Sequence, residues 1–147
     1  MHRFPDILAK IALTAWVGGL WAIAVVAWVL FQKLTDRQLA GSVAGSLFTI
    51  MNWVGIVTGF FLLIYRAVRE GAGALRSGFF WLVLCMLLLT LGSYFGIQPV
   101  IEGLKAQAWP KAVMQSAFAD RFARWHGISS IVYVIECVLG VVLVSRE

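Results

Sequence analysis

Four long apolar runs dominate this chain, and each is long enough to cross a lipid bilayer. The first runs from Ile11 to Gln32, between Lys10 and Lys33. The second lies between Arg37 and Arg66, the third between Arg76 and Glu102, and none of these three contains an ionisable acid or base. The fourth lies between Arg124 and Arg146, interrupted by Glu136 and preceded by His126. A helix needs about 20 apolar residues to span roughly 30 Å of hydrocarbon. In hydrocarbon every backbone N–H and C=O must be satisfied within the protein, which favours helices over irregular chain.

Composition agrees. Apolar side chains make up 61% of the 147 residues and charged ones 13%, with a mean hydropathy of +0.89; soluble domains carry about a quarter charged residues. The expectation is a single all-α domain, 1–147, forming an integral membrane four-helix antiparallel bundle. Its spans fall at about 7–31, 38–65, 78–99 and 126–144. Ala22-Ile23-Ala24 has the form of a signal-peptide cleavage site. The apolar run continues past it through Trp28 and Phe31, as a retained helix does.

The net charge of +5 does not point to nucleic acid, because Lys and Arg flank the apolar runs as anchors for lipid headgroups. Cys85 and Cys137 fall within separate spans without metal or disulfide spacing, so both read as buried, inert thiols.

Short links favour antiparallel neighbours. Met1–Asp6, with His2, Arg3 and Pro5, reads as an interfacial start. Thr35 or Asp36 can cap the second helix. Residues 66–77, with three arginines, Gly71 and Gly73, read as a flexible basic turn, and Ser77 as the cap of the third helix. Pro99 should kink or end that helix. Met114, Phe118, Phe122 and Trp125 recur at helical spacing, which predicts an interfacial amphipathic helix over about 110–125 with Pro110 in its first turn. Lys and Arg are tied at six on each side of such a bundle. The compact arginine link between the second and third helices inclines the reading toward both termini in the cytoplasm, in a bacterial inner membrane.

Glycines mark close approaches between helices. Gly41–Gly45 and Gly55–Gly59 have GxxxG spacing, and Gly18 and Gly19 lie among Trp16, Trp21 and Trp28. These surfaces serve either packing of helices one and two within one chain or a homo-oligomer or another integral membrane protein. Trp81, Trp109 and Trp125 fit the interfacial belt.

The chemistry-bearing residues concentrate on helix four. Glu136 shares a helical face with His126, Ser129, Tyr133 and Gly140. A carboxyl at membrane depth must be neutral, paired or facing water. The stripe is either an inward path for a proton, ion or ligand, or a hydrogen-bond clasp from a protonated Glu136 to Asn52, Thr58, Thr90 or Ser93. His126 is a candidate ligand for metal or haem, but His2 is the only other histidine and precedes the first span, so no transmembrane His pair exists. No cofactor is expected, and no P-loop, nucleophile elbow or catalytic triad is present.

Several motifs carry a family resemblance across nearly the whole chain. They are Trp16-Val17-Gly18-Gly19-Leu20-Trp21 with Phe31, Gly45 to Phe48, Gln98-Pro99, and above all Phe122-Ala123-Arg124-Trp125-His126-Gly127-Ile128-Ser129-Ser130. Together they resemble the transmembrane protein 205-like family, whose bacterial branch is a domain of unknown function. The resemblance implies four membrane helices and singles out His126, Ser129 and Ser130 without assigning them roles. Animal members carry a histidine near the start of helix one, where this chain has Leu8 to Lys10. The resulting expectation is a non-enzymatic membrane protein that binds or stabilises a partner or ligand in the bilayer. The alternative is a metal-, haem- or proton-handling protein or small transporter using the helix-four stripe.

Overall fold

The computed structural model describes residues 3–147. Its helices are α1 (Arg3–Lys33), α2 (Arg37–Glu70), α3 (Gly78–Gly92), α4 (Gln98–Ala108) and α5 (Ala119–Val144). A π-helical turn, Ser93–Ile97, joins α3 and α4 into one continuous helix of 31 residues. Four helical stretches are therefore long and apolar enough to cross a membrane. Their outward faces are apolar too: Ile50, Val57 and Ile64 on α2 and Ile131, Val134 and Val138 on α5 are all exposed. Such surfaces are stable against lipid tails and costly against water.

The four spans form an antiparallel ring. α1 packs on α2 and α5, and α3 packs on the same two helices. Across the diagonals no Cα of α1 comes within 8 Å of α3, and none of α2 within 8 Å of α5, among the described residues. The N-terminal helix start, the α2–α3 link and the C-terminus meet at one end, where Arg69 pairs with Asp6 and Arg66 with Glu147.

The core lies in the half of the bundle nearest that end. Buried residues of α1 stop at Leu20, and those of α5 begin at Glu136. Trp16, Val83, Met86 and Leu143 are wholly enclosed.

Local chemistry explains the ends. Asp36 caps α2, its Oδ1 accepting from the amides of Gln38 and Leu39 at 2.9 and 3.1 Å. Gly71 follows α2 at φ 55°, a left-handed conformation that glycine adopts without a Cβ clash.

Several expectations require correction. Residues 110–125 do not form one helix. Trp109 leaves helical geometry, Pro110 offers no N–H, and Ser116 Oγ accepts from the Phe118 amide at 3.2 Å. The chain instead makes a 3-10 turn at Val113–Gln115 and enters α5 at Ala119, with Asp120 favourably placed against the helix dipole. Pro99 does not end the third span either. In the π turn just before it the Gln98 amide reaches back to the Ser93 carbonyl, and this wider ladder accommodates proline's missing donor. The α2–α3 link is a 3-10 helix, Gly71–Arg76, rather than a loose turn, and the Ser77 side chain makes no capping bond. Cys85 faces outward, so only Cys137 is a buried thiol.

Candidate functional site

The middle of the bundle is assembled by one contact layer from all four spans. Gly55 of α2 lies where Trp16 of α1 and Thr90 of α3 converge: a Cβ there would stand 2.7 Å from Trp16 Nε1 and 3.2 Å from Thr90 Cγ2. Thr90 in turn meets Glu136 of α5, its Oγ1 lying 2.8 Å from Glu136 Oε1. Thr90 is 1% exposed and Glu136 3%, so both side chains are buried.

The directions of these bonds are constrained. Thr90 Oγ1 also lies 2.9 Å from the Met86 carbonyl one helical turn back. A hydroxyl has a single hydrogen and a carbonyl can only accept. Two full hydrogen bonds form at once if Thr90 donates to Met86 while a protonated Glu136 carboxyl donates to Thr90; an ionised Glu136 would have to share Thr90's one hydrogen with the Met86 carbonyl. A neutral carboxyl is also the form that low dielectric tolerates.

Tyr133 lies one turn before Glu136 and donates from its hydroxyl to the Leu20 carbonyl of α1. Its ring meets Phe48 of α2 edge-on, with centroids 4.9 Å apart. This aromatic pair crosses the diagonal between α2 and α5 and forms a floor between the packed half of the bundle and the other half.

Beyond that floor the inward face of α5 opens. Ser129 is half-buried and His126 exposed, stacked on Phe122 at 5.6 Å. Ser130 Oγ donates back to the His126 carbonyl at 2.9 Å. Asn52 of α2 is half-buried. The stripe is thus not one continuous path: His126 and Glu136 stand ten residues apart, about 15 Å along the helix. Among the described residues no three His, Cys, Asp or Glu side chains converge as a metal site. His2 lies outside the described residues.

The glycines separate into two groups. Gly19 packs against Met51, Gly55 against Trp16 and Thr90, Gly59 against Leu87 of α3, and Gly140 against Val17. Around Gly18, Gly41 and Gly45 a Cβ would meet nothing within 4 Å. Gly41 and Gly45 therefore do not pack α1 on α2. Ala40 and Ala44, one residue earlier in the chain, are the buried small residues of this stretch, at 0% and 3% exposed. Trp21 and Trp28 point outward, at 47% and 65% exposed, and only Trp16 enters the core.

A second polar cluster, not foreseen from the sequence, closes the end that bears the termini. Asp6 accepts from Tyr65 and Arg69. Arg66 pairs with Glu70 at 2.5 Å and with Glu147, and stands 4.3 Å over the Phe79 ring. The signal was available in principle: Arg66 and Arg69 are three residues apart on one helical face.

These features define an all-α, four-span membrane protein with an interior carboxyl hydrogen-bonded to Thr90. The chain belongs to the family described as domain of unknown function DUF4149, whose profile matches residues 11–110. No curated protein and no solved structure matches it.

Proposed function

We propose that this chain is a non-enzymatic membrane protein that binds a ligand of the bilayer in the open half of its bundle, with Glu136 serving as a structural clasp. The observation that carries this reading is the closure of the interior stripe. Glu136 Oε1, Thr90 and the Met86 carbonyl bond in one chain, and Tyr133 bonds separately to the Leu20 carbonyl. A proton or ion relay needs wet or exchangeable groups in sequence, and here the Glu136–Thr90–Met86 contacts lie on the far side of the Phe48–Tyr133 pair from His126. The likeness of residues 122–130 to the transmembrane protein 205-like family supports the same reading. It concentrates the family's signature on the α5 segment that lines the open half. Residence in a bacterial inner membrane with both termini in the cytoplasm belongs to this proposal.

The rival reading is cofactor or proton chemistry at His126, Tyr133 and Glu136. It differs in a simple observable. Protein extracted in detergent should show no Soret band and no stoichiometric metal, and should carry a bound lipophilic molecule. A Soret band, or near-stoichiometric metal lost in His126→Ala, would overturn the ligand-binding reading.

A further inference from the structure

We infer that the open half of the bundle is a lateral cleft for an anionic phospholipid, its acyl chain lying over Gly41 and Gly45 and its phosphate meeting Lys105. This rests on the ligand-binding reading above and names the ligand class.

The cleft follows from the course of α3 and α4. Through the π turn, α3 stays close to α2, and Trp53 Nε1 donates to the Tyr94 hydroxyl at 3.1 Å. Past Pro99, α4 turns to α5 and buries Ile101, Leu104 and Ala108. No Cα of α4 then comes within 8 Å of α2 among the described residues. The result is a wedge with its apex at Trp53–Tyr94, widening along the 11 residues of α4, about 16 Å. Gly41 and Gly45 lie on the α2 wall of this wedge with open space in front of them. They fall on the same face as Asn52 and Gly59, within about 40° on the helical wheel, and Gly59 is the residue that packs against α3 in the other half.

Shape and charge choose the occupant. A helix is about 10 Å across and rigid, whereas a wedge that closes to a hydrogen bond at its apex suits a flexible acyl chain. At the terminal end Arg66 and Arg69 are engaged by Glu70, Glu147 and Asp6, while Lys10, Arg76 and Arg146 carry no ion pair among the described residues. At the cleft end Arg37, Arg121 and Arg124 are exposed and carry no ion pair among the described residues. Lys105 has, among the described residues, only its own-helix neighbour Glu102, at 3.1 Å. An anionic headgroup is complementary to this rim, and each nearby Lys or Arg contributes about fivefold in affinity for an anionic surface.

The test is native mass spectrometry of the delipidated full-length protein, titrated with phosphatidylglycerol, with phosphatidylcholine of the same chains, and with glycerol phosphate. The expected result is one phosphatidylglycerol bound in preference to phosphatidylcholine, and none of the chainless phosphate. Gly45→Leu, which fills the wall, should abolish the adduct, and Lys105→Glu should lower the preference about fivefold or more. Both variants should retain the wild-type helical circular dichroism. Should Gly45→Leu not fold, Lys105→Glu and Arg37→Glu decide the matter alone. Equal binding of the two lipids, binding of glycerol phosphate alone, or preference unchanged in the charge variants would overturn the inference. So would a dimer that Gly45→Leu dissolves, which would assign the face to a second copy. A different co-purifying molecule displaced by Gly45→Leu would overturn the phospholipid while sparing the ligand-binding reading; a wild-type protein that binds nothing would overturn both.

Discussion

Thr90 Oγ1 and Glu136 Oε1 stand 2.8 Å apart in the middle of the bundle, joining the third span to the last through two buried side chains. The relationship is lopsided. Thr90 has a second partner in the Met86 carbonyl, and the Glu136 side chain has none besides Thr90 among the described residues.

The two groups of glycines should respond oppositely to substitution. Gly55→Ala puts a methyl 2.7 Å from the enclosed Trp16 indole, and overpacking of that kind costs about 1–3 kcal/mol. Gly45→Ala meets nothing and gains helix propensity of up to about 1 kcal/mol. Thermal or denaturant unfolding in mixed micelles should therefore rank Gly45→Ala at or above wild type and Gly55→Ala well below it.

Tyr133→Phe keeps the edge contact with Phe48 and removes the bond to the Leu20 carbonyl. That carbonyl sits within α1 and retains its helical environment, so the loss should be about 0.5–1.5 kcal/mol. The same unfolding assay checks it, and a loss above about 3 kcal/mol would mean that Tyr133 does more than bond the Leu20 carbonyl.

Arg66→Ala removes two ion pairs and the contact over Phe79 at the terminal end. The Arg66 side chain keeps 24% of its surface exposed, so solvent screening reduces the contribution to about 1 kcal/mol. Half a molar salt should shrink the difference between variant and wild type, whereas it should leave the Gly55→Ala difference in place.

Much of the architecture is written in the apolar runs, because lipid leaves a backbone few alternatives to spanning helices. Asp36 was legible as a cap, since a side-chain acceptor at a helix start has few other uses. The stretch around Pro110 was not. Met114, Phe118, Phe122 and Trp125 keep helical spacing, yet Pro110 and the local bond of Ser116 break the helix, and periodicity does not weigh such bonds. Glu136 announced itself by its charge, and Thr90 was one of several hydroxyls within reach. Choosing among them needs the register between α3 and α5, which packing alone decides. The open and packed glycines look alike in sequence for a related reason. Gly41–Gly45 and Gly55–Gly59 share one spacing, and only the departure of α4 toward α5 distinguishes their surroundings.

The most direct measurement of the interior clasp is a double-mutant cycle with Thr90→Val and Glu136→Leu, read as unfolding free energy in mixed micelles. Thr90→Val strands the buried carboxyl and should cost about 1–3 kcal/mol. Glu136→Leu should cost less, since Thr90 keeps its bond to Met86. The double variant should then be more stable than Thr90→Val alone, with a coupling of about 0.6–1.7 kcal/mol, the range typical of hydrogen bonds between membrane helices. Strictly additive losses, or a Glu136→Leu variant less stable than Thr90→Val, would contradict a structural carboxyl at this position.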